Sequence, residues 1–148
     1  MGKRRQAREL ALQGLYAHEV SGNTIQTVLE ELSKEEMTDT ETLDFAVQLV
    51  RETADRAEAL DCDLVPIIKN WEYGRIAVID KLILRLALCE ILHFPEIPPK
   101  VTINEAIDLA KKFSTEESGR FVNGILDGLY KKLKLENRLE KRGRGLME

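Results

Sequence analysis

The sequence predicts an all-α protein, with about seven helices forming two small helical subdomains packed on a central helix. Three observations carry this expectation. Leu, Ala, Glu, Lys and Ile dominate, aromatics are only 5%, and Gly and Pro are few, which suits helices better than a sandwich or barrel. Apolar residues recur at helical spacing along most of the chain, with no hairpin signal or internal repeat. Between Ile76 and Phe94 only Asp80, Lys81, Arg85, Glu90 and His93 are polar, so apolar side chains cover almost the whole helix circumference, as in a helix enclosed by others. A membrane span is set aside because those charges are costly in hydrocarbon and Pro95 ends the run.

The elements follow in order. Ala7, Leu10, Ala11, Leu15 and Val20 give a first helix over Lys3 to Val20, stopped by Ser21-Gly22-Asn23. Thr24 caps a short second helix through Leu32, and an acidic linker runs from Ser33 to Asp39. Apolar spacing from Leu43 to Leu60 predicts one long third helix starting at Thr40. Asp61-Cys62-Asp63 is expected to loosen the chain before a fourth helix from Leu64 to Asn70, with Pro66 in its first turn. Trp71 to Arg75 is the expected joint to the central helix. Pro95, Pro98 and Pro99 turn the chain into a sixth helix, starting at Pro99 or at Thr102, whose spacing to Glu105 matches a capping box. Ser114-Thr115-Glu116-Glu117 reads as another capping box, opening a seventh helix through Leu133. The 148 residues thus read as one domain, with an N-terminal subdomain over 1–70, a C-terminal subdomain over 71–133 and a basic tail over 134–148 expected to fray.

The net charge of −4 conceals a segregation. Residues 1–8 carry +4, residues 131–148 carry +4, and the body between them carries −12. Clustered cations can bind a polyanion even when the total charge is negative. Cys62 and Cys89 lack paired spacing and companion histidines, so neither a disulfide framework nor a zinc site is expected, and a cytoplasmic protein is. Glu9, Gln13, His18 and Glu19 break any signal-peptide core. No catalytic residue, metal site or cofactor is expected: His18 and His93 lie on separate helices, and Gly119, Gly124 and Gly128 are spread along a helix, where they permit close packing and form no phosphate loop.

The first helix is more informative. Eleven residues of α-helix return Tyr16 to within about 20° of Arg5, so Arg5, Arg8 and Tyr16 are expected on one stripe. Guanidiniums on phosphates beside a ring on which an unstacked base can lie are the usual devices for holding single-stranded RNA.

These residues also carry a resemblance. Lys3-Arg4-Arg5-x-Ala7-Arg8-Glu9-x-Ala11-Leu12-Gln13-x-Leu15-Tyr16 resembles the opening of the NusB family of transcription antitermination proteins. The likeness continues through Asp80-x-x-Ile83-Leu84-Arg85-x-Ala87-x-x-Glu90, Pro99-Lys100-Val101-x-Ile103-Asn104-Glu105-Ala106, Ala110-Lys111-x-Phe113 and Glu117-Ser118-x-x-Phe121-Val122-Asn123-Gly124-x-Leu126-Asp127. It is strong over residues 3–16 and 75–128, and over 17–74 only the helical pattern agrees.

The resemblance implies an all-helical, non-catalytic factor that binds single-stranded boxA RNA of ribosomal RNA leaders together with NusE, a small-subunit ribosomal protein, and acts on RNA polymerase alongside other Nus factors. By motif, Lys3, Arg4, Arg5 and Arg8 are the implied arginine-rich RNA contacts. Tyr16, Phe113, Glu117 and Phe121 are implied as the adjoining RNA surface, with the Ser114–Phe121 corner expected beside helix one. Asp80 and Arg85 are implied as the NusE-facing pair, although about 140° around the helix separates them, so at least one is expected to salt-bridge to a neighbouring helix. Cys89 stands where many relatives have Tyr, and Thr102 where Ala is common. Two alternatives stand beside this reading: an adaptor whose acidic body binds a basic ribosomal protein without touching RNA, and an RNA methyltransferase, for which a methyl-donor domain would be expected and the 148 residues leave no room. Monomer and homodimer are both left open.

Overall fold

The computed structural model describes residues 2–69 and 76–147, and among these all regular structure is helical. It divides into two compact units, Met1–Asp55 and Arg56–Glu148.

The first unit is a three-helix cluster. Helix α1, Gly2–Ser21, buries Ala7, Ala11, Leu12 and Leu15. It ends where Gly22 takes a φ of 76°, a left-handed conformation that glycine adopts without a side-chain clash, and the Asn23 N–H closes onto the Ala17 carbonyl at 3.3 Å. Helix α2, Ile25–Ser33, is capped by the Thr24 hydroxyl, which accepts from the Thr27 N–H at 3.0 Å as expected. A Cβ on Gly14 would lie 2.7 Å from Val28 Cγ1, so the close crossing of α1 and α2 depends on that glycine. Helix α3, Thr40–Asp55, is capped by Asp39, whose carboxylate accepts from the Thr42 N–H at 2.8 Å; Phe45, Ala46, Leu49 and Val50 face the other two helices.

The expected 40–60 helix is corrected here. The chain breaks at Arg56, with φ −108° and ψ 12°, and α4 runs over Ala57–Ile68 with Asp61-Cys62-Asp63 fully helical. Pro66 sits near its C-terminal end, where its ring and missing N–H act on the turn before it, rather than in a first turn. Asn70 and the Trp71–Arg75 joint lie outside the described residues.

In the second unit, α5 (Val78–His93) packs against α4, α6 (Pro99–Phe113) and α7 (Glu116–Leu135). Leu82, Ile83, Leu84, Leu86, Ala87, Leu88, Cys89 and Ile91 are all buried, which is the enclosed helix the sequence predicts. No described helix is long and apolar enough to cross a membrane. Helix α6 starts at Pro99, so Thr102 is interior rather than a cap; its hydroxyl donates to the Glu90 carboxylate at 3.0 Å, giving that buried acid a partner that alanine could not. The α7 cap is Thr115, one residue later than the predicted box opens, accepting from the Ser118 N–H at 3.0 Å. Of the three α7 glycines, only Gly119 packs closely, against the Lys111 side chain, while Gly124 and Gly128 face open space.

The tail expected to fray makes defined contacts. The Arg142 N–H donates to the Pro95 carbonyl at 3.1 Å, Gly143–Leu146 form a 3₁₀ turn, and a Cβ on the buried Gly145 would overlap the Pro95 carbonyl oxygen. The Lys141 ammonium donates to the Glu90 and Phe94 carbonyls, at 3.2 and 3.0 Å, capping the C-terminus of α5 where a cation is favoured. Burial pushes that amine down to about 8, partly offset by Glu90. Arg138 forks onto Asp63, with both contacts at 2.8 Å. Charges that read as solvated in the sequence are therefore fasteners.

Candidate nucleic-acid interface

The first turns of α1 place Lys3, Arg4 and Arg5 at a helix N-terminus with no acid in the first turn. The helix dipole disfavours cations there. A local electrostatic cost of this kind marks an interface candidate, and it is relieved in part from α3. Lys3 Nζ lies 3.2 Å from Glu41 and 3.6 Å from Asp39, contacts that raise its pKa, the hydrogen bond to Glu41 foremost. The Asp39 carboxyl is held below the usual range, chiefly by the Thr42 N–H. Gln6 reaches Thr38 at 3.5 Å.

The guanidiniums divide. Arg4 is exposed and stacks over the Phe45 ring, 4.3 Å from its centroid. Arg5 is exposed. Arg8 is only 4% exposed and lies 5.7 Å from the same centroid, so the expected Arg5–Arg8–Tyr16 stripe is corrected: Arg5 and Tyr16 are exposed, and Arg8 is turned inward. Tyr16 is 41% exposed. About 16 Å of helix separates it from Arg5. Phe45, one of the apolar repeat of α3 and unmarked among its neighbours in the sequence, is the ring beneath both Arg4 and Arg8.

The remaining implied RNA residues lie in the second unit. Phe113, half-buried at the end of α6, has the Lys112 ammonium 5.5 Å from its ring. Glu117 is exposed in the first turn of α7, and Phe121 is half-buried one turn further on. The structure thus gathers Lys3, Arg4, Arg5, Arg8 and Tyr16 on one helix, and Phe113, Glu117 and Phe121 around the α6–α7 corner.

Asp80 and Arg85 point elsewhere. Asp80 is 6% exposed and accepts from the Ser118 hydroxyl at 2.8 Å. Since Ser118 has one hydroxyl proton, the Ser114 and Thr115 hydroxyls, at 2.8 and 3.1 Å from its oxygen, are the donors to it. Arg85 forks onto Asp61 of α4 through Nε and an Nη atom, each at 2.8 Å. Through these contacts both Asp80 and Arg85 fasten α5 to its neighbours. Among the described residues no three His, Cys, Asp or Glu side chains gather as a metal site. Cys62 is exposed and Cys89 buried, and both are free thiols.

Fold and surface together define a small helical protein whose first helix carries exposed arginines and an exposed tyrosine. The model of the NusB family matches residues 5–131, and the chain belongs to that family. It is 41% identical over 146 residues to the transcription antitermination protein NusB of Chloroherpeton thalassium, covering 98% of this chain and 69% of that one. Among solved structures, T. maritima NusB superposes with a TM-score of 0.79 at 36% identity, covering 90% of this chain and 96% of that one. A crystal structure of the antitermination factors NusB and NusE in complex with double-stranded RNA superposes with a TM-score of 0.77 at 26% identity, covering 89% and 98%.

Proposed function

We propose that this protein is a non-catalytic, cytoplasmic transcription antitermination factor that binds single-stranded boxA RNA of ribosomal RNA leaders jointly with the ribosomal protein NusE. Through that complex it acts on RNA polymerase with other Nus factors. The observation that carries the reading is the first-unit surface: Arg4 and Arg5 exposed at the start of α1, and Tyr16 exposed on the stripe of Arg5. Guanidiniums engage phosphates and base edges there, and Tyr16 offers a stacking face. Lys3 joins them by exchanging its Glu41 and Asp39 contacts for phosphate, while the inward Arg8 acts by holding the helix surface in shape. Phe113, Glu117 and Phe121 supply further RNA contacts from the α6–α7 corner.

One observation favours a second reading. Lys3 is already paired with acids and Arg8 is buried, so the cationic surface is smaller than the sequence suggests, and an adaptor that binds a basic protein through acidic surface needs no RNA contact. Titrating NusE, a boxA-like single-stranded RNA, and both together separates the two. Antitermination by joint recognition requires that each ligand tighten the other by the same factor. NusE binding unchanged by RNA, with no RNA binding by the complex beyond that of NusE alone, selects the adaptor.

A further inference from the structure

Phe45 lies in the second turn of α3, 9% exposed, with its ring face toward α1. A phenylalanine at that depth ordinarily packs against aliphatic side chains. Here the Arg4 guanidinium carbon stands 4.3 Å above the ring centroid and that of Arg8 5.7 Å from it, both inside the range in which a cation is drawn to an aromatic face. Arg4 otherwise has a long, freely rotating stem at a helix N-terminus that repels it. The ring gives its guanidinium a defined contact while the residue stays exposed.

We propose that Phe45 is a positioning residue for RNA recognition: it holds Arg4, and at longer range Arg8, in the arrangement in which the α1 surface meets phosphate. Phe45 itself touches no RNA. The inference rests on the proposed function. Its consequence is that affinity depends on a ring at position 45, and not merely on an apolar side chain there, because an aliphatic residue fills the space without attracting the cation. A guanidinium ordered before binding loses less freedom on meeting its phosphate, which corresponds to about three- to tenfold in affinity for one such side chain.

The test is fluorescence anisotropy with a short boxA-like single-stranded RNA, comparing the wild type with Phe45→Leu, Phe45→Tyr, Arg4→Ala, Arg5→Glu and the Phe45→Leu/Arg4→Ala double variant, with folding checked by circular dichroism. Phe45→Leu is expected to weaken binding by about three- to tenfold, Phe45→Tyr to stay within about twofold of the wild type, and Phe45→Leu to cost clearly less in the Arg4→Ala background, where only the weaker contribution through Arg8 remains. Where Phe45→Leu does not fold, Phe45→Met carries the same comparison without a ring. Wild-type affinity in a folded ring-less variant, or a full additional loss in the Arg4→Ala background, overturns the positioning role. Loss in Arg4→Ala without loss in Phe45→Leu overturns it while leaving the RNA reading intact. Wild-type affinity in both Arg4→Ala and Arg5→Glu overturns the RNA reading itself.

Discussion

Replacing Ser118 by alanine isolates the fastening between α5 and α7. Ser118 and Asp80 are 9% and 6% exposed, and their contact is 2.8 Å long. The other Asp80 oxygen, Oδ1, is buried with no hydrogen-bond partner among the described residues, so the Ser118 hydroxyl carries most of the compensation that this carboxylate receives there. A hydrogen bond to a charged group contributes about 1.5–3 kcal/mol, and a buried acceptor left unsatisfied costs a similar amount. Ser118→Ala is therefore expected to lower stability by about 2 kcal/mol, or roughly 4–8 °C in Tm for a chain of this size. Urea unfolding followed by circular dichroism measures it. The same substitution in an Asp80→Asn background, where the acceptor is neutral, should cost only about 1 kcal/mol. A loss below about 0.5 kcal/mol, or equal losses in the two backgrounds, would refute the reasoning that the hydroxyl compensates a buried charge.

The folded tail and its ion pair give two further expectations. Gly145→Ala places a Cβ on the Pro95 carbonyl oxygen and should release the C-terminal segment, seen as faster tryptic cleavage at Arg142 and Arg144; unchanged cleavage would mean the segment does not depend on that contact. The hydrogen bond from Arg138 holds the Asp63 carboxyl below its ordinary range, with the charges of Arg138 and Lys132 adding to it. The unfolded chain therefore binds the proton more readily, so the stabilisation is present above about pH 4 and is lost as pH falls through the lowered folded value. Asp63→Asn should cost about 1 kcal/mol at neutral pH and flatten the acid limb of the stability profile; an unchanged limb would contradict the pairing.

Much of this was legible in the sequence because helical periodicity and caps are local. Thr24 marks its helix through its hydroxyl and Pro99 through its fixed backbone, and the apolar residues of Ile76–Phe94 could only be satisfied inside a bundle. The failures share a cause. Ala54, Ala57 and Leu60 keep helical spacing straight across Arg56, so the break leaves no trace in the apolar pattern. Ser114 and Thr115 are both good caps, and only the turn geometry selects Thr115. The tail reads as solvated because its partners, the Glu90, Phe94 and Pro95 carbonyls and the Asp63 carboxylate, are distant in sequence and three of them are backbone groups that no composition reveals. At the candidate interface the cations were evident, but which of them faces outward was not: Arg5 and Arg8 are chemically alike, and only the fold turns Arg8 toward Phe45.

The most direct test of RNA recognition by α1 is the affinity of the wild type and Arg5→Glu for a boxA-like single-stranded RNA, measured across a series of salt concentrations with a duplex of the same sequence as control. Wild-type binding should weaken steadily with rising salt, by a slope of about 0.7 per phosphate neutralised. Arg5→Glu should bind at least about tenfold more weakly with a shallower slope, and the duplex more weakly than the single strand. Equal affinities and equal slopes for the wild type and Arg5→Glu would contradict the account.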